Sequence, residues 1–150
     1  MFLKNYTSNT PSHLTIARIE QVLIRCGVNA IQKEYLQSGE ISAVIFRIET
    51  GEHRHHIRLP VDKAAVLEAL WGDYIAGVKK PRKQKDEFKD QAERTAWKLM
   101  QDWVEVQLSL IQMRQADFIQ VFMPYVWDGK RTFYQALKES NYKALLPERN

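Results

Sequence analysis

The sequence predicts an α+β fold, and three patterns along its 150 residues support this prediction. Apolar residues follow a helical period over 12–26, a two-residue period between 30 and 59, and a helical period again from residue 86. Short polar turns divide the middle stretch, so its strands should be antiparallel neighbours. We therefore expect an N-terminal helix on a three-stranded antiparallel meander, followed by a short helix, one long helix and a C-terminal short helix.

The first helix has recognisable ends. Residues 1–11 are expected to form an extended arm, after which Ser12 is a plausible N-cap. Ile16, Ile19 and Leu23 then share one face. Gly27 stands where a helix commonly closes with a left-handed residue.

Three strands are predicted at residues 30–36, 41–49 and 54–59. In the second, Val44, Phe46 and Ile48 alternate with other residues, so one face of the sheet should be buried. The first helix is expected to cover that face.

The rest of the chain is predicted to be helical apart from one linker. Asp62 can cap a second helix, and Gly72 opens a linker over 72–85. A long helix is expected over 86–122, a turn over 127–130 and a last helix over 132–139. We predict one domain, with an αβββα part over 12–71, the linker 72–85 and a helical part over 86–145.

The long helix carries a stripe of apolar residues at alternating steps of four and three, as in a coiled-coil seam. The stripe is Ala92, Ala96, Leu99, Trp103, Val106, Leu110 and Met113. Further apolar residues lie off this stripe, so the helix is expected to be central to a core or buried in an oligomer. Homo-oligomerisation is therefore left open.

Composition indicates a cytoplasmic protein with an ordinary core. Apolar residues make up 45% and charged residues 27%, and Cys26 is the only cysteine, which excludes an intrachain disulfide. The first residues do not resemble a signal peptide, and no stretch is apolar enough to span a membrane. We expect no membrane association.

The net charge of +4 comes from the second half of the chain, mainly from residues 79–85, which we call the basic segment. Its cations are Lys79, Lys80, Arg82, Lys83 and Lys85. These residues can neutralise phosphates, and the flanking Tyr74 and Phe88 could stack on a single-stranded base. The alternative is a solvated, mobile linker.

Two other clusters suggest chemistry only weakly. His53, His55 and His56 form the only histidine cluster, but no third or fourth ligand has a suitable spacing, so no metal site or cofactor is expected. The acids that open the long helix, at positions 86, 87, 90 and 93, could hold magnesium in a nuclease. Their simpler role is to complement the helix dipole. We therefore expect a protein that is not an enzyme.

Four segments resemble small, functionally uncharacterised proteins encoded by bacteriophages, prophages and other bacterial mobile elements. They are QAERTAWK at 91–98, DWVEVQL at 102–108, FMPY at 122–125 and KNYTS at 4–8. The resemblance implies a phage-associated accessory protein and assigns no functional residue.

Two hypotheses of function follow. The first is a non-enzymatic accessory protein that binds nucleic acid, or a complex that handles nucleic acid, through the basic segment. The alternative is a protein-binding inhibitor of a host defence system, an anti-defence factor, that uses aromatic residues as anchors. Those residues are Trp97, Trp103, Tyr125 and Trp127.

Overall fold

The computed structural model describes residues 2–148 and has an α+β architecture, as the sequence predicts. The helices are α1 (Ser12–Arg25), α2 (Lys63–Ala76), α3 (Lys89–Gln112), α4 (Phe118–Phe122) and α5 (Phe133–Glu139). The strands are β1 (Ile31–Tyr35), β2 (Ile41–Thr50), β3 (His53–Arg58) and β4 (Val126–Trp127). Short 3₁₀ turns occupy Lys85–Phe88, Met123–Tyr125 and Lys143–Leu145.

The chain divides into two compact units, each built from two separate stretches. The helical unit contains residues 2–25 and 60–108, and the sheet unit contains 26–59 and 109–148. The sequence-based grouping into 12–71 and 86–145 follows chain order, whereas these units do not.

The sheet unit is an antiparallel meander in the order β1-β2-β3-β4. The three predicted strands are confirmed, and β4 is an addition. Val126 lies opposite Ile57 and Trp127 opposite His56. A strand of two residues shows no period of its own, so the sequence predicted only a turn there. The predicted turn follows β4. There the Asp128 carboxylate accepts hydrogen bonds from the backbone N–H groups of Lys130 and Arg131.

β2 supplies the centre of the sheet unit. Phe46 lies opposite Ile57 and meets the ring of Phe122 from α4 edge to face, with the centroids 5.2 Å apart. All three side chains are buried. Ala43 and Ile45 point to the other face and are buried as well, so the expectation of a single buried face was incomplete.

The helical unit contains an apolar cluster between α2 and α3, centred on Val66, Leu70, Ala92 and Ala96. The predicted cap of α2 is confirmed, since the Asp62 carboxylate accepts from the backbone N–H of Ala65 at 2.9 Å. α2 continues past Gly72 to Ala76 and ends at Gly77. The linker is therefore shorter than the predicted 72–85, because an isolated glycine weakens a helix by only about 1 kcal/mol and packing outweighs that cost.

The N-terminal arm is tied to α3 by a row of hydrogen bonds. The hydroxyl of Thr95, which is fully buried, donates to the Asn5 carbonyl at 2.9 Å. The Asn5 amide donates to the Asp102 carboxylate at 2.8 Å, and Lys4 lies 3.1 Å from the same oxygen. Gln91 and Arg94 both donate to the Ser8 carbonyl. These polar groups on α3 therefore fix the path of the arm.

The predicted long helix over 86–122 is interrupted, and this is a correction. α3 ends at Gln112, where Arg114 adopts a left-handed conformation with φ of 59°. The N–H of Gln115 reaches the Leu110 carbonyl and that of Arg114 reaches the Ile111 carbonyl, the two bonds of a Schellman motif. Asp117 then caps α4 through the N–H of Gln120 at 2.8 Å.

The buried face of α3 also differs from the predicted stripe. The stripe residue Val106 is 58% exposed, whereas Trp97, which lies off the stripe, is fully buried. Apart from Thr95, the buried set follows two rows of residues four apart: Ala92, Ala96, Met100, Val104 and Leu108 in one, and Trp97 and Gln101 in the other. Rows of residues four apart are inclined to the helix axis. The buried face of α3 therefore shifts gradually around the axis from the start of the helix to its end. A coiled-coil seam is therefore not the pattern of burial.

Candidate nucleic-acid interface

The basic segment connects α2 to the 3₁₀ turn before α3, and four of its cations are free. Lys79, Lys80, Arg82 and Lys83 are exposed. Within residues 2–148, no carboxylate forms an ion pair with any of them. Four unpaired cations within five positions give this loop a locally positive surface.

Lys85 differs from the other four. It lies in the 3₁₀ turn, is half-buried and forms an ion pair with Glu68 of α2. Its charge is therefore balanced by a carboxylate within the protein.

The nearest acidic side chains on the C-terminal side of the segment are also engaged. Asp86 lies 3.3 Å from the ammonium of Lys89, and the Glu87 carboxylate accepts a hydrogen bond from the backbone N–H of Gln84. Both acids therefore contact partners other than the four free cations. These contacts also account for two of the residues considered above as magnesium ligands.

Tyr74 holds the segment in place. Its phenol oxygen accepts hydrogen bonds from the backbone N–H groups of Arg82 and Lys83, both at 3.1 Å. One side chain of α2 thus fixes two consecutive residues that lie eight and nine positions further along the chain. The linker is therefore anchored near its centre, whereas a fully mobile linker would have no such contact.

The aromatic residues near the segment form an internal cluster rather than open stacking faces. The Tyr74 ring lies 5.7 Å from Trp71 and 5.2 Å from Phe88, and Trp71 and Phe88 are 6.1 Å apart. The ammonium of Lys83 lies 5.8 Å from the centroid of the Phe88 ring. All three rings are half-buried. Their contacts with one another and with Lys83 leave less ring surface for a base than the sequence indicates.

Of the aromatic residues predicted as protein-interaction anchors, one lies in the interior. Trp97 is fully buried, so its indole offers no surface. Trp103, Tyr125 and Trp127 are half-buried. The Trp127 ring is already covered on one side by the guanidinium of Arg58, 4.7 Å from the ring centroid.

The same Arg58 contacts two residues, Glu34 and Trp127, that line a polar groove on the sheet that the sequence did not reveal. Glu34 binds its guanidinium at 3.2 Å, and the groove of about 560 Å³ runs over Ile45 between Glu34 and Trp127. The alternation of β1, β2 and β3 could have indicated these side chains, but Trp127 reaches them only through the unpredicted β4.

The histidine cluster is spread along β3. The rings of His53 and His55 lie 6.5 Å apart, and the Nε2 atom of His55 lies 2.6 Å from the Thr50 hydroxyl. His56 points to the opposite face. Across residues 2–148, no group of three or more His, Cys, Asp or Glu side chains is arranged to hold a metal ion.

Two of the remaining acids of α3, Glu93 and Asp102, serve structural contacts. Glu93 accepts a hydrogen bond from the Ser12 hydroxyl at 3.0 Å and lies 3.6 Å from the Lys63 ammonium. Burial by itself would raise the pKa of Asp102, but hydrogen bonds from Asn5 and Lys4, with the charge of Lys4, hold that pKa below its ordinary value. Asp102 is therefore a charged anchor for the N-terminal arm.

Comparison with known proteins found no matching family model, no similar curated protein and no similar solved structure. None of the helices within residues 2–148 combines the length and the apolar character needed to cross a bilayer.

Proposed function

We propose that the protein is a non-enzymatic binding protein whose basic segment contacts nucleic acid, either directly or within a complex that handles it. The single observation that carries this proposal is the set of four exposed, unpaired cations at Lys79, Lys80, Arg82 and Lys83. The phosphate backbone is the biological polyanion that such a set neutralises with release of counterions.

Two features support a binding role over that of a plain solvated linker. Glu68 and Asp86 form ion pairs with Lys85 and Lys89, so neither forms an ion pair with the four exposed cations. The hydroxyl of Tyr74 holds the backbone of Arg82 and Lys83, so part of the cost of ordering the loop is met before binding. The resemblance to phage and mobile-element proteins stays a prediction, as does a cytoplasmic location.

Replacing the four free cations by glutamine tests the proposal. The variant lowers the formal net charge from +4 to zero. Its four substitutions are Lys79→Gln, Lys80→Gln, Arg82→Gln and Lys83→Gln. We expect its affinity for a fluorescein-labelled DNA or RNA oligonucleotide to fall by roughly tenfold or more at 0.1 M salt. Anisotropy titration measures this affinity.

A matched variant controls for net charge. Arg25, Lys130, Lys138 and Lys143 are exposed and lie outside the basic segment. Replacing these four by glutamine also brings the net charge to zero, so the two variants share their long-range electrostatics. If the two variants lose affinity equally, or if wild-type protein binds neither DNA nor RNA, the proposal is wrong.

The alternative proposal is a protein-binding inhibitor of a host defence system. It has less support, because Trp97 is buried and Arg58 covers one side of Trp127. Tyr125 and Trp103 remain as half-buried candidates. A specific host protein that is captured by wild type, and lost on Tyr125→Ala together with Trp103→Ala, would favour this alternative.

A further inference from the structure

We propose that the basic segment selects double-stranded over single-stranded nucleic acid, and that Tyr74 is the positioning residue that sets its geometry. The proposal rests on the function proposed above and names the class of nucleic acid. It follows from what the three aromatic rings beside the segment do in the fold.

Proteins that prefer single strands combine cations with aromatic rings on which successive bases stack. Near the basic segment, the rings of Trp71, Tyr74 and Phe88 contact one another at centroid distances of 5.2–6.1 Å. Lys83 also lies against Phe88. These rings are half-buried and spend part of their surface on one another and on Lys83, so we expect stacking to contribute little to binding.

Without stacking, charge density decides which strand form binds more tightly. Duplex DNA carries about one negative charge per 1.7 Å of helix axis, and each protein cation releases about 0.9 counterion from it, compared with about 0.7 from a single strand. For four contacts at 0.1 M salt, this difference corresponds to about a sixfold preference for the duplex. A loop that contacts only phosphates does not read sequence.

The hydrogen bonds of Tyr74 decide where Arg82 and Lys83 sit. Both backbone N–H groups point at one phenol oxygen, so the loop cannot drift away from α2 without losing two hydrogen bonds together. The hydroxyl itself touches no phosphate in this scheme. Its role is to pre-organise the cations that do.

The test compares a duplex of about 20 base pairs with each of its separate strands, at equal salt, by anisotropy titration. We expect the duplex to bind about sixfold more tightly, with little dependence on sequence. Equal or tighter binding of a single strand overturns the duplex assignment. If instead no nucleic acid binds at all, it is the proposed function itself that fails, so the two failures are distinct.

Tyr74→Phe tests the positioning role, because it keeps the ring in the aromatic cluster and deletes only the hydroxyl. We expect about a threefold to fivefold loss of affinity with an unchanged salt dependence, since all four cations remain. The glutamine variant, in contrast, loses the salt dependence. Wild-type affinity in Tyr74→Phe overturns the role of Tyr74.

Hydrogen exchange provides a readout that does not depend on any ligand. The amides of Arg82 and Lys83 should be protected in the wild type and exchange faster in Tyr74→Phe. The amide of Ala65, which is bonded to Asp62 at the other end of α2, is the internal control and should not change. Unprotected amides at positions 82 and 83 in the wild type would overturn the positioning role independently of binding.

Discussion

The rings of Phe46 and Phe122 meet edge to face with their centroids 5.2 Å apart, and both side chains are fully buried. This contact joins the central strand of the sheet to α4, a helix of only five residues. A helix that short has little stability of its own, so its position depends on the side chain it buries.

Truncation of this contact should be among the most damaging changes in the sheet unit. We expect Phe122→Ala to lower the free energy of unfolding by about 3–5 kcal/mol, because it leaves a cavity beside Phe46. Phe118→Ala is the matched control on the same helix, since Phe118 is only half-buried, and it should cost clearly less. Urea denaturation measures both. Equal costs would show that the Phe46–Phe122 contact is not central to the unit.

Trp97 should behave as a core residue and not as an anchor for a partner. Its side chain is fully buried, so we expect Trp97→Ala to cost about 3–5 kcal/mol of unfolding free energy. The control is Trp103→Ala on the same helix, where the side chain is half-buried and the cost should be smaller. Thermal and urea unfolding of both variants check this. A Trp97→Ala variant with wild-type stability would mean that the indole is not in the core.

Asp102 should make the stability of the helical unit depend on pH at the acid end. Its folded pKa lies below the unfolded value of about 3.9, so the carboxylate stabilises the fold above that pH. This contribution is lost as the pH falls through the folded pKa. We expect Asp102→Asn to cost roughly 1 kcal/mol at pH 7, because Lys4 and Asn5 lose a charged partner.

The measurement is urea unfolding of wild type and Asp102→Asn at pH 7 and again near pH 2.5. The difference between the two proteins should shrink at the lower pH, because that pH lies below the unfolded pKa of aspartate and protonation then favours the unfolded wild-type chain. Asp90→Asn, at an exposed carboxylate in the first turn of α3, is the control for the amide substitution. A difference that is the same at both pH values would contradict the role of the Asp102 charge.

Local signals in the sequence predicted the parts of the fold that local chemistry decides. Asp62 was predicted to cap a helix, and the structure starts α2 after it. Gly27 has a φ of 97°, as a glycine that closes a helix should. The meander of β1 to β3 was predictable as well, because the two-residue alternation of apolar residues is itself a local pattern.

Features that depend on the rest of the molecule were not predictable in this way. Arg114 ends α3 in a left-handed conformation that arginine rarely adopts, so no residue type marked the end of the helix. α3 is apolar on several sides, and only packing selected the side with Trp97. The hydrogen bonds from the basic segment to Tyr74 join residues eight and nine positions apart with no sequence pattern to mark them.

The salt dependence of duplex binding tests the central claim most directly. Four phosphate contacts predict that the logarithm of the association constant falls with the logarithm of salt concentration with a slope of about −3.6 for the wild type. The variant that lacks the charges of Lys79, Lys80, Arg82 and Lys83 should give a slope near zero. Equal slopes for the two proteins would show that the basic segment does not contact the phosphate backbone.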